Sequence, residues 1–191
     1  MSITLTSDPI VSEQMVRDLM PQWNNANEIR LAINSVSARF KLYTGRKAIL
    51  SATVTEWQRG RGLDYLWLHA TPLTSITSVE LYSDGDVSDT IASGDYSYNA
   101  TTGRLYLHGS IAQYTEGEEN VKVVYVGGWA AASVPGDLMQ SALELMKLDK
   151  ARLEGRIGVR SEGREGFSAS YDPDDLPASI VQVWKRYRFS A

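Results

Sequence analysis

The 191-residue chain contains no cysteine, which excludes disulfides, thiol nucleophiles and cysteine-bound metals and fits a reducing compartment. Histidine is scarce too, since His69 and His108 are the whole imidazole supply. Each stands at the end of a predicted strand with no cluster of further ligands, so each reads as a surface or half-buried side chain rather than a metal ligand. The net charge of -4 is small, and it provides no electrostatic argument for nonspecific nucleic-acid binding or for acidic substrates. No apolar run approaches the roughly 20 residues that a membrane helix needs. The opening MSITLTSDPIVSEQ has neither the basic cluster nor the apolar core of a leader, so a soluble, unprocessed chain with no membrane partner is expected. There is no Walker loop or dinucleotide fingerprint, because the pairs Gly60/Gly62 and Gly127/Gly128 lack the spacing and read as turns. The acidic run Asp84-Gly85-Asp86-Val87-Ser88-Asp89 has its glycine second rather than sixth and no glutamate at the twelfth position, so it reads as an exposed turn and not a calcium loop. No nucleophile or base has partners. The expectation is a protein that is not an enzyme and needs no cofactor or metal.

What the chain does contain is a clear change of hydrophobic period, helical to about Tyr43, strand-like from about Ala48 to Val126, and helical again from Pro135. The fold class expected is α+β, a helical body with an inserted antiparallel β-sheet or small sandwich. One composite domain is expected, with N-terminal helices over 1–46, a β region over 47–128, and C-terminal helices over 129–191 that include a flexible loop at 154–175. A short helix runs from Ser12 to Met20 and stops at Pro21. Asn27 is the expected cap of a second helix on which Ile29, Ala32, Ile33, Val36, Phe40 and Tyr43 recur at helical spacing, with Gly45 ending it. The β region reads as about five or six strands: Ala48 to Trp57, Asp64 to His69, Ile76 to Tyr82, the Tyr96 and Tyr98 pair, Arg104 to Leu107, and Val121 to Val126. Arg59-Gly60-Arg61-Gly62 is a turn, and Gly103 supplies a positive φ in the hairpin before Arg104.

The join between the last strand and the third zone is the best-defined local feature. Val121, Val123 and Tyr125 alternate with Lys122, Val124 and Val126, and Gly127 and Gly128 stop the strand. Pro135 then fixes a first helical position, Asp137 lies near the positive helix end, and Leu138, Ala142, Leu145 and Met146 share a face. Trp57, Trp67, Trp129 and Trp184 read as core or subunit-interface residues before they read as a sugar or base platform.

Two basic groups are candidate contact sites. Arg152, Arg156, Arg160 and Arg164 recur every fourth position and would form a cationic stripe or channel lining if helical, although Glu154, Glu162 and Glu165 offset much of the charge, so a solvated loop is the first reading, a protein-partner contact the second and a DNA contact the third. After Pro177, Ile180, Val181, Trp184 and Tyr187 recur at helical spacing beside Lys185, Arg186 and Arg188. Aromatic and arginine residues together at a terminus are the composition of interface hot spots, so docking to a partner and packing onto the protein's own core stand as equal readings. Truncation after Pro177 is expected to leave a folded protein that has lost a docking element.

The order of these motifs resembles one family. Tyr43-Thr44-Gly45-Arg46, the LWLHATPLTSITSVEL segment from Leu66 to Leu81, the DYSYNATTGRLYL hairpin from Asp95 to Leu107, VKVVYVGGW, VPGDLMQSALELMK and the ending GREGFSASYDPDDLPASIVQVWKRYR look like the head-to-tail connector, or adaptor, proteins of tailed bacteriophages and prophages. The similarity runs from roughly Asn27 to Arg188. It implies a structural virion protein that forms a ring of about twelve copies under the portal. Its partners would be the portal protein, a stopper or tail-completion protein and further copies of itself, with a passing contact to packaged DNA. It would reside at the head–tail interface of the virion, and in the host cytoplasm during assembly. On this resemblance Trp184, Lys185, Arg186, Tyr187 and Arg188 fall on the segment that reaches the portal. The alternatives are a neighbouring head-completion or tail-completion protein and, from another class, a ligand-binding β module or an enzyme of unknown type.

Overall fold

The computed structural model describes residues 2–108, 114–153 and 176–189. Four helices and seven strands follow in the order α1 Glu13–Leu19, α2 Ala26–Thr44, β1 Ala52–Gly60, β2 Tyr65–Trp67, β3 Leu73–Ser83, β4 Asp86–Thr90, β5 Tyr96–Tyr98, β6 Arg104–Leu107, β7 Gly117–Gly127, α3 Gly136–Leu153 and α4 Ala178–Lys185. The architecture is α+β. The chain divides into two compact units, a helical one formed by Met1–Thr44 with Val134–Arg188 and a β unit formed by Gly45–Ser133 with Phe189–Ala191.

In the helical unit the apolar stripes expected from the sequence are buried. Ile29, Ile33, Val36 and Phe40 of α2 and Leu138, Ala142, Leu145 and Met146 of α3 form its interior with Val16, Ile180 and Trp184. Ser12 caps α1, its hydroxyl accepting from the Met15 amide at 3.1 Å. The cap of α2 differs from expectation. Asn25, not Asn27, accepts from the Asn27 and Glu28 amides at 3.0 and 3.4 Å. Asn27 belongs instead to a polar stripe that the apolar periodicity concealed. Asn27 and Asn34 accept from the backbone amides of Ile3 and Thr6 at 2.9 and 2.8 Å, and Ser37 accepts from Ile10 at 3.1 Å. Positions 27, 34 and 37 lie near one line along a helix, so the stripe fastens the extended N-terminal segment by satisfying its amides.

The truncation expectation does not survive this packing. Ile180 and Trp184 of α4 are both fully buried, so removing the chain after Pro177 opens the core of the helical unit.

The β unit contains two antiparallel sheets, ordered β1-β7-β3-β4 and β2-β6-β5. Leu66, Leu68, Leu105 and Leu107 on one side and Val79, Leu81, Val121, Val123 and Tyr125 on the other share one buried cluster, which makes the pair a small sandwich. Central β7 shows the expected alternation, with Val121, Val123 and Tyr125 buried and Lys122, Val124 and Val126 half-buried. Two local expectations are corrected. Strand β1 starts later and runs through Arg59 to Gly60, which pairs with Gly117 after a bulge, so the predicted turn begins two residues late. The acidic run is not a turn throughout. Asp84 and Gly85, with φ of 54 and 89, form a two-residue hairpin turn, and Asp86–Thr90 is a strand paired with β3.

At the end of β7, Gly128 has φ +106 and a Cβ there would stand 2.4 Å from the Leu50 carbonyl oxygen. The close approach exists because Trp129 pairs with Leu50 in an isolated parallel bridge. Gly103 likewise has φ +78, as the hairpin reading required.

Candidate functional site

The terminal segment is held by its own helical unit. The Trp184 ring meets Phe40 edge-on at 5.5 Å and Tyr43 at 5.9 Å, and its indole nitrogen donates to the Ser141 hydroxyl at 3.0 Å. Just beyond α4, the Tyr187 hydroxyl donates to Asp137 at 2.6 Å, and Arg186 forms an ion pair with the same carboxylate at 3.3 Å. The five candidate residues therefore separate by depth. Trp184 is buried and Tyr187 is half-buried and tethered, while Lys185, Arg186 and Arg188 are exposed, Arg186 with 68% of its side chain in solvent. What the segment presents outward is cationic.

The arginine row is described only at its first member. Arg152 is half-buried in the last turn of α3, 3.6 Å from Asp149, and Arg156, Arg160 and Arg164 lie outside the described residues, as does the loop expected at 154–175. Nearby, α2 and α3 flank a groove of about 610 Å³ lined by Trp23, Leu31, Arg39, Asp149 and Leu153 among others, with Lys150 standing 4.8 Å over the Trp23 ring.

His69 is part of a network whose other members the sequence did not single out. Glu56 on β1 is only 4% exposed; its carboxylate faces the His69 ring and accepts from the His69 amide at 3.2 Å, from the Tyr125 hydroxyl at 2.7 Å and from Gln58 at 2.9 Å. Tyr125 in turn accepts from the Ala70 amide at 3.0 Å. Burial would raise the Glu56 carboxyl, but the hydrogen bonds and charge of His69, with the Tyr125 hydroxyl, outweigh it and hold the group below its ordinary value. Burial and the adjacent carboxylate push the Tyr125 hydroxyl up. The network ties β1, β7 and the segment after β2 together. One signal of it was available: in Val54-Thr55-Glu56-Trp57-Gln58 the alternation turns Glu56 inward and leaves Trp57 outward at 44% exposure, against the hydrophobic order.

His108 bonds the Ser97 hydroxyl at 2.6 Å on the surface. Among the described residues no group of three or more histidine or carboxylate side chains is arranged to hold a metal ion.

Two outward sheet faces carry aromatic side chains. On the four-stranded sheet Trp57 meets Tyr82 at 4.7 Å, beside the Lys122–Glu80 ion pair at 2.9 Å. On the three-stranded sheet the register sets Tyr65 opposite Tyr106 and Trp67 opposite Arg104, so these four side chains share the face opposite the buried leucines. The Arg104 guanidinium lies 3.7 Å from the Tyr65 ring centroid, 4.6 Å from Tyr106 and 5.5 Å from Trp67.

No family model matches the chain, and no curated protein matches it in sequence. Solved structures do share its fold. A chain from the neck of an empty gene transfer agent (GTA) particle computed with C6 symmetry is 16% identical with a TM-score of 0.64, and the match covers 100% of this chain and 96% of that one. A chain from the neck of a native GTA particle computed with C12 symmetry is 16% identical with a TM-score of 0.62 over the same shares. A chain from the virion of a native GTA particle is 14% identical, with a TM-score of 0.65 over 100% of this chain and 95% of that one.

Proposed function

We propose that the chain is a structural protein of a phage-like particle that forms a ring in the neck, docks on the portal and joins the DNA-filled head to the tail. The observation that carries this reading is the end-to-end likeness to neck chains of gene transfer agent particles, one computed with C12 and one with C6 symmetry, which spans both the helical and the β unit. The motif order described above supports the narrower adaptor assignment. In this role the chain works by surface complementarity, and contacts too weak to hold a pair of copies become strong when repeated around a closed ring on a template.

The terminal segment is the portal-docking element in this reading. Trp184 anchors it from within, and Lys185, Arg186 and Arg188 face the partner. Arg152, the described member of the arginine row, is the candidate for the channel, where packaged DNA passes. The protein resides at the head–tail interface, after folding in the host cytoplasm.

Removing the chain from its parent particle tests the reading. DNA-filled heads lacking tails are the expected product, and tailed particles from the deletion would refute it. Copurification with tail tube in place of portal would reassign the chain to tail completion.

A further inference from the structure

The register of β2 and β6 creates a surface feature that the docking segment does not explain. The Arg104 guanidinium carbon stands over the Tyr65 and Tyr106 rings, its buried Nε has no hydrogen-bond partner, and no carboxylate pairs with it among the described residues. A cation–π contact takes up none of the guanidinium's N–H donors, and with Nε buried it is the terminal Nη groups that remain to be met by a carboxylate. Arginine set among tyrosine and tryptophan is also the composition of binding hot spots.

The same β unit carries a matching feature on another sheet. Strand β4 is the edge of the four-stranded sheet and all five of its residues are exposed. The β3–β4 hairpin reaches past the last β3–β7 pair, Leu81 with Val121, to a tip holding Asp84 and Asp86. Asp84 to Asp89 includes three aspartates and no basic residue, none of the three forms an ion pair among the described residues, and Val87 is 51% exposed.

We infer that the face of Tyr65, Trp67, Arg104 and Tyr106 receives the acidic β3–β4 tip of a neighbouring copy, with the Asp86 carboxylate accepting from Arg104. The inference rests on the ring reading above. Charge complementarity selects the occupant, because every copy offers one unpaired cation on one patch and one unpaired acidic tip on a different patch. Contacts between two different patches are heterologous, the type that closes into rings. Phosphate groups of DNA would satisfy the same donors, but the chain's charge of -4 opposes a long polyanion while a single aspartate matches a single arginine.

The cysteine-free chain allows a direct test. Ser97 is paired with Tyr106 on the receiving face and Ser83 with Asp86 on the tip, so an S97C/S83C double variant should give a ladder of disulfide-linked copies on oxidation. R104E or D86K alone should reduce that ladder and ring formation by about tenfold or more, and the combined R104E/D86K variant should restore both. Because D86K alters an exposed strand, it keeps the test valid should R104E fail to fold. Wild-type rings that persist unchanged in D86K and R104E would overturn the inference and leave the ring reading standing. A chain found monomeric both alone and in the assembled particle would overturn both. Loss of DNA affinity in R104E with self-assembly intact would identify the face as a phosphate site and also overturn the inference.

Discussion

The Trp184 indole nitrogen donates to the Ser141 hydroxyl across 3.0 Å, with both side chains buried in the helical unit. A tryptophan that would look like a docking anchor by composition thus has its polar atom satisfied and its ring enclosed by its own fold. The terminal segment is consequently both a stability element and a surface, and the two roles separate residue by residue.

Trp184→Ala should destabilise the protein by about 3–5 kcal/mol, the range for deleting a large buried aromatic side chain. Truncation after Pro177 should cost at least as much. Chemical denaturation followed by circular dichroism measures both, and a truncated chain with unchanged midpoint would show that α4 contributes nothing to the core.

The combined reversal K185E/R186E/R188E should behave in the opposite way. All three side chains are exposed, so stability should change by no more than about 1 kcal/mol, the scale of the exposed Arg186–Asp137 pair. Attachment to portal-bearing heads should be lost. Normal head–tail joining by this folded variant would remove the segment from the docking role.

The buried Glu56 network should give the protein an acid-sensitive component. The carboxyl titrates lower in the folded chain than its ordinary value of 4.5, so the unfolded state takes up the proton first as pH falls. The stabilisation is complete above 4.5 and is lost as pH drops through the lower folded value. Glu56→Gln should cost about 1–3 kcal/mol near neutrality, the price of mismatched buried partners, and should flatten the acid limb of the stability profile. Parallel acid limbs in wild type and variant would exclude Glu56 as its source.

Two glycine substitutions should diverge. Gly128→Ala sets a Cβ 2.4 Å from the Leu50 carbonyl in a positive-φ conformation and should destabilise by several kcal/mol, on the order of strained backbone plus overpacking. Gly136→Ala, in the first turn of α3 with nothing within 4 Å of its Cβ, should be neutral or stabilise by up to about 1 kcal/mol. Melting curves of the two variants supply the comparison, and equal shifts would contradict this account of the Gly128 turn.

Much of the fold was legible because the relevant signals are local. The α2 and α3 stripes, the β7 alternation, the Pro135 start and the positive φ at Gly103 follow from periodicity and backbone preference, and all lie within a few residues of what they determine. The misread positions involve groups far apart in the chain. Asn27 looked like a cap because its role, bonding Ile3, lies 24 residues away. Glu56 was not singled out because its partners His69 and Tyr125 are 13 and 69 residues distant. The Asp84-Gly85 hairpin was a local signal that its acidic composition obscured.

By itself the sequence determined the α+β class, the order of the zones, the main helix faces and the lack of cysteine chemistry, since composition and period are properties of neighbouring residues. Only the tertiary structure decided which member of each cluster is buried and which is presented. Trp184 is taken into the core while Arg186 stays outside, and Arg104 stands over Tyr65 from another strand. Burial and pairing depend on what the folded chain brings alongside, which no local pattern encodes.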